Sequence, residues 1–309
     1  MRILSLLPGA TEVVCKLEAT DQLVGRSHEC DYPPEVQQLP ACTEPKYEIE
    51  FSSADTDRRI KELIREGLSV YKVDADFIAR LQPDLIITQD HCEACAVSYN
   101  EIEQAVKAHL DKKVQIVDFG PSNLSELYDK IQDIADAVNK SNNGRSLVKQ
   151  MQNSFQELRT DTSRDNRPEV ALLEWLDPLM SSGNWLPKLV EIGGGKPVLS
   201  NVGGHAGVID MNALLEADPE IILLAPCGYS IEETRQHLEE VTNHPDWSQL
   251  QAVQNNQVYI VDANHYFNRP GPRLVNSAQI VAEILHLDQF SPSHLNSGWI
   301  SMPDGRLCS

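Results

Sequence analysis

Along this chain, short apolar runs alternate with stretches in which apolar residues recur at helical spacing. Arg2 to Leu7 reads as a strand, Pro8-Gly9 as a turn, and Thr11 to Leu17 as a short helix with Val13, Val14 and Leu17 on one face. Leu23 to Arg26 is a second strand, and Pro33-Pro34 stops anything regular after it. Asp57 to Glu66 places Ile60, Leu63 and Ile64 on one helical face, Val70 to Val73 is a strand, and Asp76 to Leu81 is a helix that ends ahead of Pro83. The apolar run in Asp84 to Thr88 predicts a strand buried on both faces. A helix from Tyr99 to His109 and a strand from Val114 to Phe119 follow. Such alternation predicts a parallel sheet.

The alternation then pauses for two helices. Leu124, Leu127, Ile131, Ile134 and Val138 form one stripe; after a polar break at Asn142-Asn143-Gly144, Leu147, Val148, Met151, Phe155 and Leu158 form another. The second helix, about 145 to 160, would span roughly 24 Å, enough to link two lobes. From Pro168 the alternation resumes: strand Val170 to Glu174, helix Trp185 to Ile192, helix Met211 to Glu216, strand Glu220 to Ala225, helix Ile231 to Val241, strand Gln257 to Asp262 and helix Arg273 to Leu287. Ser230 and Glu233 have capping-box spacing at the start of one of these helices.

The expected fold is α/β: two Rossmann-like lobes with parallel sheets joined by one long interlobe helix. The lobes are expected over 1–142 and 167–288, the linking helix within 143–166, and an irregular tail over 289–309. The halves echo each other, since Phe77 to Thr88 and Asn212 to Leu223 both read as a short helix, then Pro-acidic, then a buried strand.

A length of 309 residues suits two domains. The formal charge of −20, from Asp+Glu 46 against Lys+Arg 26, repels phosphate backbones and anionic headgroups, so nucleic acid and membrane surfaces are poor partners. No run approaches the ~20 apolar residues of a membrane span. Arg2 to Leu7 already reads as a strand where a signal peptide would stand, so a cytoplasmic protein is expected, or a periplasmic one if the true start lies elsewhere. In a reducing compartment the seven cysteines are expected as thiols, metal ligands or core residues.

Ser5 to Glu12 (SLLPGATE) and the L-x-P-D-L-I-I run from Leu81 resemble the helical-backbone class of substrate-binding proteins that serve ABC importers of vitamin B12, siderophores, haem and some metals. The resemblance covers about residues 1 to 288 and is closest to cobalamin-binding members. GRSHECDYP from Gly25, TQDHCEACAVS from Thr88, EWLDPLMSSGNW from Glu174 and NRPGPR from Asn268 are similar to a soluble branch of that group. The resemblance implies a small-molecule ligand, a corrinoid such as cobalamin, and a transporter or acceptor protein as partner.

In open α/β sheets ligands sit at the carboxyl ends of parallel strands. Loops 26–32, 89–98, 176–185, 202–207, 226–230 and 263–271 all follow or face such ends, and are expected to line an interlobe cleft. They supply His28, Cys30, His91, Cys92, Cys95, Trp185, His205, Cys227, Tyr229, His265 and Arg269 as candidate ligand-binding residues. Cys92, Cys95, His28 and Cys30 could instead hold zinc or iron, since thiolate and imidazole suit those ions. A redox pair at Cys92 and Cys95, and so a thiol-dependent enzyme, is a third reading. Trp175, Trp185, Tyr229, Tyr266 and Phe267 offer flat walls for a planar ligand, with core packing as the plain alternative for the tryptophans. Arg269 could hold an anionic group or form a surface ion pair. Glu12 is expected to favour its helix dipole. Asp90, Asp177 and Asp262 end their strands and could do acid or base work, with solvated loop carboxylates as the plain expectation. Gly203 to Gly207 follows no phosphate-loop pattern, and no Ser-His-Asp order appears. A binding protein is expected over an enzyme.

Overall fold

The computed structural model describes residues 1–45, 52–65, 71–89, 113–162 and 167–302. The chain divides into two compact units: Met1–Glu50, Arg58–Met151 and Pro270–Pro272 form the first, and Phe51–Asp57, Gln152–Arg269 and Arg273–Ser309 the second. The expected helix 99–109 lies outside the described residues.

Among the described residues the first unit carries a four-stranded sheet of β1 (Ile3–Ser5), β2 (Leu23–Arg26), β5 (Leu85–Thr88) and β6 (Gln115–Asp118), in the order β2-β1-β5-β6. All its pairings are parallel, as the alternating pattern predicts. The small strands β3 (Thr43–Pro45) and β4 (Tyr71–Val73) pair antiparallel beside it. One face packs through Leu4, Leu6, Ile86, Cys42 and Ile78, so Cys42 is a core residue and burial pushes its thiol up to about 12.

The second unit carries a seven-stranded mixed sheet. β7 (Glu169–Trp175), β11 (Ile221–Leu224) and β12 (Val258–Val261) form its parallel centre, and β9 (Lys196–Pro197) also runs parallel to β7. β8 (Met180–Asn184) pairs antiparallel with β7, and β10 (Ser200–Val202) extends that edge. The pattern misses β8 because Met-Ser-Ser-Gly-Asn has neither apolar alternation nor β-branched residues; pairing with β7 makes it a strand. The tail is not irregular throughout, either. Trp299–Ser301 forms β13, antiparallel to β12, with Trp299 and Met302 each only 2% exposed.

Several element ends differ from expectation for physical reasons. The first helix spans Pro8–Lys16 rather than starting at Thr11, because Pro8 occupies a first-turn position where its missing N–H does no harm. Gly9 is required there by close approach: a Cβ would lie 1.9 Å from the Pro270 carbonyl oxygen. Glu12 therefore falls beyond the first turn, buried rather than placed on the helix dipole. The long helix spans Ser141–Asp161 and continues through the expected break at Asn142-Asn143-Gly144. Gly144 packs on the helix Leu124–Ala137, with a Cβ there only 2.4 Å from that of Ala135, and the chain turns instead at Asn139, where φ is 59°.

The echo between the halves has a structural content. The helices Ala75–Leu81 and Met211–Ala217 both end on a left-handed residue, Gln82 and Asp218, ahead of a proline. The acidic residue that follows then binds the backbone entering the neighbouring strand: Arg2 N donates to Asp84 Oδ2 at 2.8 Å, and Glu169 N to Glu220 Oε1 at 3.0 Å. Both motifs feed strands buried at every position.

Candidate functional site

In the first unit the strand ends gather small polar groups rather than bare thiols. Thr11 donates to Ser5 Oγ at 2.8 Å and also lies 3.1 Å from Cys30 Sγ, which approaches the Ser5 carbonyl at 3.8 Å. Cys30 is fully buried, so its sulfur is part of the packing between β1 and the first helix. His28 is half-buried. Its Nδ1 lies 2.7 Å from Thr43 Oγ1, and its backbone N–H donates to the same hydroxyl at 3.0 Å. Burial of the ring, opposed by Glu29 and aided by Arg26, holds its pKa below the ordinary histidine value, so the imidazole is neutral at pH 7.

Arg26 organises the loop that carries these residues. Its guanidinium donates to the carbonyls of Ser27, His28 and Leu39 at 2.9, 3.2 and 3.1 Å, and to Gln37 O at 3.3 Å. Arg26→Ala is expected to lower stability by about 2 kcal/mol and to speed amide exchange at His28, measured by denaturant unfolding and hydrogen exchange. Arg26→Lys, lacking the fork, should recover only part of the loss.

In the second unit the site is built around a π-helical turn, Ala263–Phe267, at the carboxyl end of β12. Asp262 starts it, accepting from His265 N through Oδ1 at 2.8 Å and pairing with His265 Nδ1 through Oδ2 at 2.8 Å. Asn264 N donates to the Tyr229 carbonyl at 3.0 Å, and Gly228 N to Asn268 Oδ1 at 3.0 Å, tying the loop after β11 to this turn. The Trp185 indole N–H donates to the Phe267 carbonyl at 2.9 Å, and Arg269 Nη2 to Asn264 Oδ1 at 2.9 Å. Trp185, Cys227, Tyr229, His265 and Arg269 are thus brought together from separate loops.

Their exposure divides them. Cys227 is exposed and His265 half-exposed, whereas Trp185, Tyr229 and Arg269 are buried. Arg269 is accordingly a buried, hydrogen-bonded side chain. The Tyr229 hydroxyl, close to Thr56, makes no hydrogen bond of regular geometry, and burial pushes its pKa up to about 12. His205 is exposed on the loop 203–207. That loop lies on Gly183, where a Cβ would meet the Ala206 nitrogen at 2.4 Å.

Sequence reading passed over Glu174. It stands next to last in β7, and its carboxyl accepts from Gly183 N at 2.6 Å. The residue keeps some exposed surface while its carboxyl is enclosed, and that burial, offset only by the Gly183 bond, raises its pKa to about 7. A lone acid in the apolar run Val170 to Trp175 is the signal that could have marked it. His91, Cys92 and Cys95, and Asp90 beside them, lie outside the described residues. Among the described residues no three His, Cys, Asp or Glu side chains converge to hold a metal ion, and no helix is long and apolar enough to cross a membrane.

The fold has known counterparts. The profile of a family described as periplasmic binding protein matches residues 3–265. YvrC of Bacillus subtilis, an uncharacterized ABC transporter substrate-binding lipoprotein, is 22% identical over 295 residues, 94% of this chain and 81% of that protein. The periplasmic vitamin B12 binding protein BtuF of Vibrio cholerae superposes with a TM-score of 0.65 at 22% identity, over 94% of this chain and 98% of that one. A periplasmic heme binding protein of Pseudomonas aeruginosa gives 0.71 at 14% identity, over 94% of each. At these identities the structural likeness is one of fold. The expectation of a cytoplasmic protein is corrected by these relatives, a lipoprotein and periplasmic proteins, which work outside the cytoplasm. With a match running from the start of β1 into the turn that carries His265, this chain belongs to the periplasmic binding protein family.

Proposed function

We propose that this solute-binding protein takes a corrinoid, a planar macrocycle with a central cobalt, as its ligand and delivers it to an ABC transporter. The observation that carries the reading is the Asp262–His265 pair. A carboxylate hydrogen-bonded to one ring nitrogen sets the direction of an imidazole, the arrangement typical of metal-coordinating histidines. His265 stands at a strand end, where sheets of this kind bind ligands, and its side chain is 40% exposed. The named relatives fit the reading: one binds vitamin B12, another heme, and YvrC is described as serving an ABC transporter.

Titration with aquocobalamin, followed by its visible bands, tests the proposal. Uptake with a band shift is expected for the unaltered protein. His265→Ala should abolish the shift, and Asp262→Asn should weaken binding by about tenfold. Uptake of haemin but not of the corrinoid would move the ligand to an iron porphyrin. Uptake of neither, or an unchanged shift in His265→Ala, would sink the assignment of this imidazole.

A further inference from the structure

At the carboxyl end of β7 the second unit holds a piece of its own chain where a ligand would be expected. Trp175, Asp177, Tyr229 and Glu240 surround the first turn of the helix Ser53–Arg65, a turn that belongs to the second unit. Ser53 is fully buried. Its backbone N–H donates to Glu240 Oε1 at 2.9 Å and its hydroxyl to Glu240 Oε2. Asp177 N donates to Ser53 Oγ at 3.0 Å, while the Trp175 indole N–H is shared between the carbonyls of Ser53 and Asp177 at 3.2 and 3.1 Å. The ring of Tyr229 meets Trp175 edge-on at 5.3 Å, and Thr56 covers the Tyr229 hydroxyl side. His237 buttresses the acceptor, with Nδ1 3.0 Å from Glu240 Oε1 and its ring 5.2 Å from that of Tyr229.

Two features set this contact apart from core packing. The inserted residues, Ser53-Ala54-Asp55-Thr56, are small or polar, so the turn is held chiefly by hydrogen bonds rather than by apolar burial. The fit is also incomplete, because the buried Tyr229 hydroxyl lacks a regular hydrogen bond. A ligand that packs on one of these rings and bonds that hydroxyl would compete with the turn for the pocket.

We propose that this turn is an autoinhibitory occupant. Residues 53–56 sit on Trp175 and Tyr229 and leave before those rings meet a ligand. The inference rests on the solute-binding reading above and adds a competitor within the chain. An internal competitor lowers the population of binding-competent protein, and with it the apparent affinity.

Hydrogen exchange of the full-length protein tests it, with amides 53–57 followed in the unaltered chain, Glu240→Ala, Ser53→Ala and the control Glu232→Ala. Both latch variants should exchange about ten- to a hundredfold faster in this segment, and the control should not. Aquocobalamin or haemin, whichever the unaltered protein takes up, should bind the latch variants more tightly and should speed exchange of 53–57 in the unaltered chain. Unchanged exchange in both latch variants, unchanged affinity, or a probe that slows exchange there would each overturn the proposal. If neither probe binds any form, the corrinoid reading fails. The exchange rates alone then decide the latch: fast in both variants supports a detachable turn, and slow in both overturns it.

Discussion

Replacing Glu283 by Ala is expected to lower stability by about 3–5 kcal/mol and to loosen the C-terminal segment, because it removes a buried carboxylate that accepts five hydrogen bonds from that segment. Glu283 is 3% exposed and lies in the helix Leu274–Leu285. It receives the backbone N–H and hydroxyl of Ser293 at 3.1 and 2.5 Å, the backbone N–H and Nδ1 of His294 at 3.0 and 2.8 Å, and the Trp299 indole N–H at 2.9 Å. Without it these donors are stranded, the buried Trp299 indole N–H among them. Burial alone would raise the carboxyl's pKa, but the bonds from Ser293, Trp299 and His294 together outweigh it and hold the group below the ordinary glutamate value. A depressed folded pKa gives stability that is present above the unfolded value, about 4.3, and is lost as pH falls through the folded one. Glu283→Gln should flatten that acid limb. Urea unfolding from pH 3 to 7, with proteolysis of the tail as a local probe, checks both effects, and an unaltered acid limb in Glu283→Gln would refute the assignment.

Glu174 should act in the opposite sense. Its folded pKa, about 7, lies above the ordinary glutamate value, so the folded protein binds the proton more tightly than the unfolded chain does. The associated stability is complete below the unfolded pKa and disappears as pH rises through about 7. Glu174→Gln keeps an acceptor for Gly183 N without the buried charge. It is expected to stabilise the protein above pH 7 by up to about 3 kcal/mol, less to the extent that water reaches the carboxyl, and to change nothing at pH 4. Unfolding midpoints across pH 4 to 9 measure this. A variant whose profile parallels that of the unaltered protein would show that the carboxyl is ionised and solvated throughout.

Some of the site was legible because its signals are local. The π turn begins at Asp262, which the apolar run before it marks as a strand end, and Asp262 reaches His265 because the two are three residues apart. Trp185, Tyr229, His265 and Arg269 lie in loops that follow or face strand ends, and hydrogen bonds tie those loops to that turn. What could not be read is how far each would be buried. Cys30 looked like an available thiol, and packing between β1 and the first helix closes it off.

The sequence by itself determined the α/β class, the parallel order of the first sheet, the matched helix-Pro-acid-strand motifs and the capping box at Ser230 and Glu233. These depend on periodicity and on contacts within a few residues, which any stretch of chain carries with it. Tertiary structure alone decided that Met-Ser-Ser-Gly-Asn is a strand, that the tail closes the sheet at β13, and that Ser53 docks on Glu240, 187 residues away. It also decided which carboxyl is starved of partners and which is saturated with them. Such pairings arise only when distant segments close on one another, and the energy of a polar group then depends on who surrounds it rather than on its neighbours in sequence.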